Sequence, residues 1–136
     1  KDPDQTWLSL VALAEELPAN EALQLYQDAR QKLGMPLEMV FINAVYPRLF
    51  SPDERGRVED LLAHCRQHDP TAEGVKLLEA AGQWIRRQGR QQPYIDQLTR
   101  EISSHPVEIP IYFTNHLSIR DIGDIANRLI KESTGK

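Results

Sequence analysis

An asparagine at the end of an apolar run is the residue of this chain best placed to contact a ligand. The run over residues 37–42, which carries no charge from Met39 onward, is followed immediately by Asn43. Such a run predicts a strand buried on both faces of a sheet. In open α/β sheets, ligands bind just outside the carboxyl ends of the strands, where an amide can both donate and accept hydrogen bonds. Asn43 is therefore a candidate binding residue, and its alternative role is that of a turn residue ending the strand.

Polar pairs also follow the two other predicted strands. Glu15 and Glu16 come after the first strand, and Asn115 and His116 come after the third. Carboxylates in this position can orient a basic group, a water molecule or a metal ion, but polar loop residues that precede a helix have the same composition. We favour the loop interpretation for the two glutamates. For Asn115 and His116 the alternative is turn and capping chemistry ahead of Ser118.

One cluster has residue types that bind metals. His64 and His68 are four residues apart, with Cys65 between them, so the two imidazoles share a helix face and can hold a soft metal. No third or fourth ligand is evident nearby, as a closed metal site would require. We interpret the cluster as the solvated end of an amphipathic helix and predict no metal site.

A basic cluster lies beside a tryptophan. Arg86, Arg87 and Arg90 surround Trp84, and arginines next to an aromatic ring can stack on nucleobases. The helical periodicity instead places Trp84 on the apolar face and the arginines on the solvent face. The net charge of −4 and the pI of about 5.5 argue against a general binder of nucleic acids or membrane surfaces.

Most catalytic signatures are missing from this sequence. It contains no G-x-x-x-x-G-K-[ST] phosphate loop, no G-x-G-x-x-G turn, no G-x-S-x-G elbow, no H-E-x-x-H and no C-x-x-C. Cys65 is the single cysteine, which excludes an internal disulfide and suits a reducing compartment, so we expect a cytoplasmic location. The uncharged apolar stretches are far shorter than a bilayer span.

Three β-prone runs alternate with helical patterns along the chain. The runs predict strands over residues 7–13, 37–42 and 107–113. The last should end near Pro110 or lie at an edge of the sheet, because proline is poorly tolerated in mid-sheet. A helix is predicted over residues 20–33, with Gly34 as its C-terminal stop. Together these elements make a strand–helix–strand unit of the usual size.

Serines mark the starts of two further helices. Ser51 with Glu54 and Ser118 with Asp121 have the spacing of a capping box. Between the second and third strands the pattern is mostly helical, and Gly89 and Pro93 predict a kink or a new helix start there.

The order of elements predicts an α/β fold. We expect one domain over residues 1–136 that forms part of a doubly wound parallel sheet, with three strands flanked by helices. Three strands make a small sheet, and parallel sheets are normally covered on both faces. The remaining strands are therefore expected from a missing segment, from a partner or from a swapped copy in a homodimer.

The ordered motifs resemble the C-terminal part of a known family, the arsenical pump-driving and tail-anchored-protein targeting ATPases. These ArsA-like anion-transporting ATPases are P-loop enzymes built on a doubly wound parallel sheet. The matching pieces are residues 6–17 (TWLSLVALAEEL), the following helix over residues 20–33, residues 40–47 (VFINAVYP), the helix motif over residues 87–102 with Gln91 and Tyr94, and residues 109–130.

The resemblance implies roles for three residues and for a cofactor. Asn43 is implied to contact the adenine base, with Pro110 and Ile111 beside the ring. ATP with Mg would bind to the complete parent enzyme, which couples ATP hydrolysis to anion export or client handling. The implied partner of this chain is the N-terminal ATPase half of the parent.

The departures from the family pattern limit what this chain is expected to do alone. The phosphate loop, the switch segments and the client-binding region of the family precede the matched stretch, and the C-x-x-C of the eukaryotic branch is absent. We expect the chain alone neither to hydrolyse ATP nor to bind nucleotide tightly. Two alternatives stay open: a free-standing interaction module that uses an exposed sheet edge, and a small enzyme built on Glu15, Glu16 and Asn43.

Overall fold

The computed structural model describes residues 8–69, 73–102 and 106–134. Three parallel strands form one sheet in the order β1-β2-β3. The strands are β1 (Leu8–Leu13), β2 (Leu37–Val45) and β3 (Val107–Pro110). The helices are α1 (Glu16–Asp28), which continues as a π-helical turn (Ala29–Leu33), α2 (Pro52–His68), α3 (Glu73–Glu101) and α4 (Ile119–Thr134). The predicted α/β class, with three parallel strands flanked by helices, is confirmed.

The chain divides into two compact units. We call residues 1–45 and 91–136 the sheet unit, and residues 46–90 the helical unit. The prediction of one domain over the whole chain stays a prediction. Among the described residues, no helix is long and apolar enough to cross a membrane.

The core of the sheet unit lies on one face of the sheet. Alternate residues of β1 and β2 point to this face, where apolar positions of α1 and of the last part of α3 meet them. Fully burying one such aliphatic side chain contributes about 1.5–3 kcal/mol. The members of this core are Leu10, Ala12, Ala14, Ala19, Ala22, Leu23, Val40, Ile42, Val45, Ile95, Leu98 and Ile102.

The opposite face of the sheet is more open. Val11 is 68% exposed and Leu13 is 37% exposed, although both lie next to buried residues of β1. On β2, Met39 and Phe41 are half-buried. The prediction that this strand is buried on both faces is therefore wrong for one of them, because the described part of the chain covers that face only partly.

The first helix begins earlier than the sequence predicted. It starts at Glu16 instead of residue 20, so Glu16 belongs to the first helical turn and Glu15 takes the N-cap position. An acidic first turn and an early Pro18 favour this start, since a carboxylate interacts well with the helix dipole and proline needs no backbone donor there. The loop interpretation of the two glutamates is thus wrong for Glu16. Gly34 ends the helix with φ 61°, as predicted.

The long third helix shows that one of the two alternatives predicted near Gly89 and Pro93, a new helix start, is wrong. It runs from Glu73 to Glu101 as one element, with Pro93 in its interior, so no new helix starts near Gly89. Proline removes one backbone hydrogen bond, which the remaining turns of a helix of 29 residues tolerate.

The helical unit begins with the predicted capping box. The Ser51 N–H donates to Glu54 Oε2 at 2.7 Å, and the Glu54 N–H donates to Ser51 Oγ at 3.3 Å. These bonds satisfy donors that the helix leaves free at its start. Within this unit, Arg55 donates to the buried Gln88 at 2.8 Å, and Arg66 pairs with Glu79 at 2.8 Å.

Candidate functional site at the carboxyl edge of the sheet

The structure brings the three predicted base-contacting residues to one edge of the sheet. Asn43 lies near the end of β2, and Pro110 is the last residue of β3, where it pairs with Val45. The Ile111 N–H then donates to the Val45 carbonyl at 2.9 Å, just beyond the strand. Asn43 is exposed, whereas Pro110 and Ile111 are half-buried. The parallel topology thus places these residues where ligands of α/β sheets bind.

The residue that follows Asn43 has an unusual backbone. Ala44 has φ 57°, in the left-handed region that few residues other than glycine adopt. This conformation costs an alanine about 1–2 kcal/mol, so the surrounding structure must hold it. Strain of this kind often accompanies a functional site.

Two side chains hold the peptide groups of Ala44. Asn43 Oδ1 accepts the Ala44 N–H at 2.9 Å. Gln91 Nε2 donates to the Ala44 carbonyl at 3.0 Å from a position 47 residues away in the sequence. Side chains therefore supply the hydrogen bonds that a neighbouring strand would otherwise give.

The left-handed backbone at Ala44 changes the alternation of side chains at the end of β2. The pairing with β3 shifts register between Ile42 and Val45, which marks a bulge. As a result Ile42 and Val45 both belong to the core, while Asn43 between them is exposed. Ordinary alternation already exposes Asn43 after Ile42, and the extra residue of the bulge explains how Val45 also faces the core.

The amide of Asn43 keeps hydrogen-bonding capacity for a ligand. The Ala44 N–H identifies Oδ1 as the acceptor, so Nδ2 carries the two donors and Oδ1 retains a second lone pair. A donor and an acceptor side by side match adenine, which presents an amino donor next to a ring-nitrogen acceptor. The exposed amide therefore offers a donor and an acceptor, side by side, to the edge of a ligand.

A concavity of about 400 Å³ lies on the β1 side of Asn43. Residues 10–13 of β1 and four residues of α1 line it together with Asn43, and its polar side chains come from Asn43 and Glu21. Its size is that of a small-molecule pocket. Pro110 and Ile111 are not part of its lining, so the residues implied to flank the base and this concavity lie on different sides of Asn43.

The other polar pairs serve turns and helix starts. Glu15 and Glu16 are exposed at the start of α1. The Thr114 hydroxyl accepts the His116 N–H at 3.2 Å and donates to the His116 carbonyl at 2.7 Å, as in a turn. Neither Glu15 nor His116 lines the concavity beside Asn43.

The tryptophan and arginine of the basic cluster bond within the helical unit. Trp84 Nε1 donates to the Pro47 carbonyl at 2.9 Å, and the Tyr46 ring meets Trp84 edge to face at 5.1 Å. Arg87 donates to the Tyr46 hydroxyl at 2.9 Å. These contacts fit the solvent-face prediction for the arginine and give the aromatic rings a structural role.

The sequence identified Asn43 but missed what holds it. No local pattern signals a left-handed alanine, since alanine is typical of helices. Gln91 was visible as part of the helix motif, without any indication that it contacts the strand end. In the described residues, no group of three or more His, Cys, Asp or Glu side chains can hold a metal ion.

Comparisons with known proteins leave the family assignment to the motifs alone. No protein-family model matches this chain, and no curated protein matches it. The resemblance to the ArsA-like ATPases therefore stands as a hypothesis.

Proposed function

We propose that this chain forms the adenine side of the ATP site in an ArsA-like anion-transporting ATPase and completes the parallel sheet of that enzyme. The observation that carries the proposal is the Asn43 amide, fixed by the Ala44 N–H at the carboxyl end of β2. The Mg ion and the phosphate-binding loop would come with the N-terminal half of the parent.

A contact between two independently matched motifs supports this proposal. The strand-end motif contains Ala44 and the helix motif contains Gln91. The Gln91 side chain donates a hydrogen bond to the Ala44 carbonyl at 3.0 Å. Motifs that matched by sequence alone thus meet at one place. This is the place where the resemblance implies the base to bind.

The role of this chain in the reaction is positional. Asn43 would donate a hydrogen bond through Nδ2 to a ring nitrogen of adenine and accept one through Oδ1 from the amino group of adenine. Guanine presents an acceptor where adenine has its amino donor, so the same amide in the same orientation would oppose it. ATP hydrolysis itself belongs to the phosphate side, and the chain alone would be inactive.

Nucleobase titrations followed by NMR test the adenine site directly. The chain of 136 residues, labelled with 15N, is titrated with adenosine and then with guanosine. We expect a Kd of about 1 mM, which corresponds to about −4 kcal/mol. The shifts should cluster at Asn43, Ala44 and Ile111 and should be larger with adenosine.

A matched pair of variants assigns the response to the site. Asn43→Ala should abolish it, whereas Asn127→Ala, which changes an exposed asparagine of α4, should leave it unchanged. Equal shifts with guanosine, or adenosine shifts that persist in Asn43→Ala, would overturn the adenine site. A complete coding sequence without an upstream phosphate loop would overturn the ATPase assignment.

A free-standing interaction module is the second candidate, and exposed apolar side chains favour it. On the open face of the sheet Val11 is 68% exposed, and on α4 Ile119 and Ile122 are 91% and 55% exposed. Such surfaces mark binding sites for other proteins. Sedimentation of the chain over a range of concentrations tests this candidate, since a strict monomer that responds to adenosine would contradict it.

A further inference from the structure

The exposed side of α2 carries two histidines that the nucleotide proposal does not use. His64 and His68 lie one helical turn apart, and both are exposed. Their rings stack with centroids 4.2 Å apart and planes inclined by 22°. Two imidazoles are thus already neighbours on one helix face.

A hydrogen bond identifies which nitrogen of the His68 ring carries a proton. Nδ1 of His68 lies 3.0 Å from the carbonyl oxygen of His64. A carbonyl oxygen only accepts hydrogen bonds, so Nδ1 carries a proton, and in the neutral ring Nε2 of His68 then has the free lone pair. Histidines that bind metals typically have this arrangement, with the second nitrogen bonded to a backbone carbonyl or a carboxylate.

The surroundings of the pair favour a cation. Because the His64 ring is exposed, rotation about its side-chain bonds can turn a nitrogen lone pair from the stacked arrangement towards an ion at Nε2 of His68, and the hydrogen bond from His68 Nδ1 is then kept. Asp60 lies one turn before His64 and is also exposed, so it adds negative charge on the same side of the helix. With no group of three ligands among the described residues, water would fill the remaining coordination positions.

We propose that His64 and His68, for which the sequence alone predicted no metal site, form a two-imidazole site for one divalent transition-metal ion. Imidazole nitrogen suits Cu²⁺, Ni²⁺ and Zn²⁺, whereas Mg²⁺ and Ca²⁺ prefer oxygen ligands. A bound ion would link the last two turns of α2. The site is independent of the nucleotide proposal, since its residues belong to the helical unit and not to the sheet edge.

Calorimetric titration with metal salts tests the site in the full chain. NiCl₂ and ZnCl₂ should each bind with one ion per chain, and MgCl₂ should give no heat of binding. Loss of an outer partner of a metal ligand already lowers affinity about 10- to 100-fold, so His64→Gln and His68→Gln should each lower it at least about tenfold. His116→Gln is the matched control, because His116 is exposed in the loop before α4.

A second measurement separates chelation from loss of structure. Circular dichroism should show the same helix content in all variants, and 15N NMR of the imidazoles should show Zn²⁺ shifting Nε2 of both His64 and His68. Unchanged affinity in either of these variants would overturn the two-histidine site. Equal loss of affinity in His116→Gln would overturn it as well, because binding would then be non-specific.

Discussion

The two faces of the sheet are made by neighbouring residues of the same strands but have opposite surroundings. On the covered face, Leu10 is 4% exposed and Ile42 is 0% exposed, while on the open face Val11 is 68% exposed. Successive side chains of a strand point to opposite sides, so one short strand contributes to both faces. The covered face holds the sheet unit together, and the open face is apolar surface that another protein segment can cover.

This difference assigns stability and binding to different side chains. Parallel sheets are normally buried on both faces, so an open apolar face favours an additional partner. We expect substitutions on the covered face to lower the free energy of unfolding strongly. Substitutions on the open face should change it little in this chain.

The largest effect should come from truncating the covered face. Ile42→Ala removes a fully buried side chain from the core and should lower the free energy of unfolding by about 2–5 kcal/mol. Urea denaturation measures this value. Val11→Ala on the open face is the matched control, with an expected change within about 0.5 kcal/mol. A similar loss in both variants would show that the two faces are covered alike.

The next effect concerns the end of β2, where the exposed Asn43 separates two core residues. Gln91→Leu removes the donor to the Ala44 carbonyl and should cost about 1–3 kcal/mol, because a partly buried acceptor loses its partner. The adenosine response of Asn43 should weaken in the same variant. Gln83→Leu, at an exposed position of α3, should leave both properties unchanged.

A smaller effect of opposite sign is expected at the left-handed residue itself. Ala44→Gly relieves the strain of a positive φ and should raise the free energy of unfolding by up to about 1 kcal/mol. The same change at Ala126, an exposed residue inside α4, should lower it by about 0.5–1 kcal/mol. Thermal denaturation of both variants gives the signs. A loss of stability in Ala44→Gly would show that the strain is not stored there.

The smallest expected effect on stability comes from the carboxylates at two helix starts, which lie outside both faces of the sheet. The Ser51 backbone N–H and then its hydroxyl hold the pKa of Glu54 below its usual value. The Ser118 hydroxyl and then its backbone N–H do the same for the pKa of Asp121. A lowered pKa in the folded state gives stability that is present above the ordinary pKa values of about 4.3 and 3.9, and that is lost as the pH falls through the folded values.

Denaturation midpoints measured from neutral pH down to about pH 3 test this acid dependence. The midpoint should fall less steeply in a variant with both Glu54→Gln and Asp121→Asn than in the unaltered chain. An unchanged slope in the double variant would assign the acid sensitivity to other carboxylates.

Local patterns predicted much of the fold because they reflect local physics. The apolar, β-prone runs predicted the three strands, Pro110 predicted the end of β3, and Gly34 predicted the end of the first helix. The capping box at Ser51 was also predictable, since its hydrogen bonds span three residues. The expectation that Pro110 lies near Asn43 came from the family resemblance, and the structure has both residues at one edge of the sheet.

The parts that sequence could not predict depend on distant contacts. The bond from Gln91 to Ala44 joins residues 47 apart, and only the folded chain shows it. The continuation of α3 through Pro93 shows that a helix of 29 residues tolerates the loss of one backbone hydrogen bond, which a local rule for proline does not predict. How far Met39 and Phe41 are buried depends on which segment covers the open face. The residues of β2 alone do not predict that segment.

The position of β1 at the end of the sheet order has a consequence for the behaviour of the chain in solution. Charged side chains and proline commonly protect an edge strand from aggregation, and the six residues of β1, LSLVAL, include neither. Uncharged apolar strands at the edge of a sheet can pair with a strand of another chain. We therefore expect concentrated samples to assemble strand to strand through β1. The edge that can accept a partner strand is also the edge through which the unpartnered chain would polymerise.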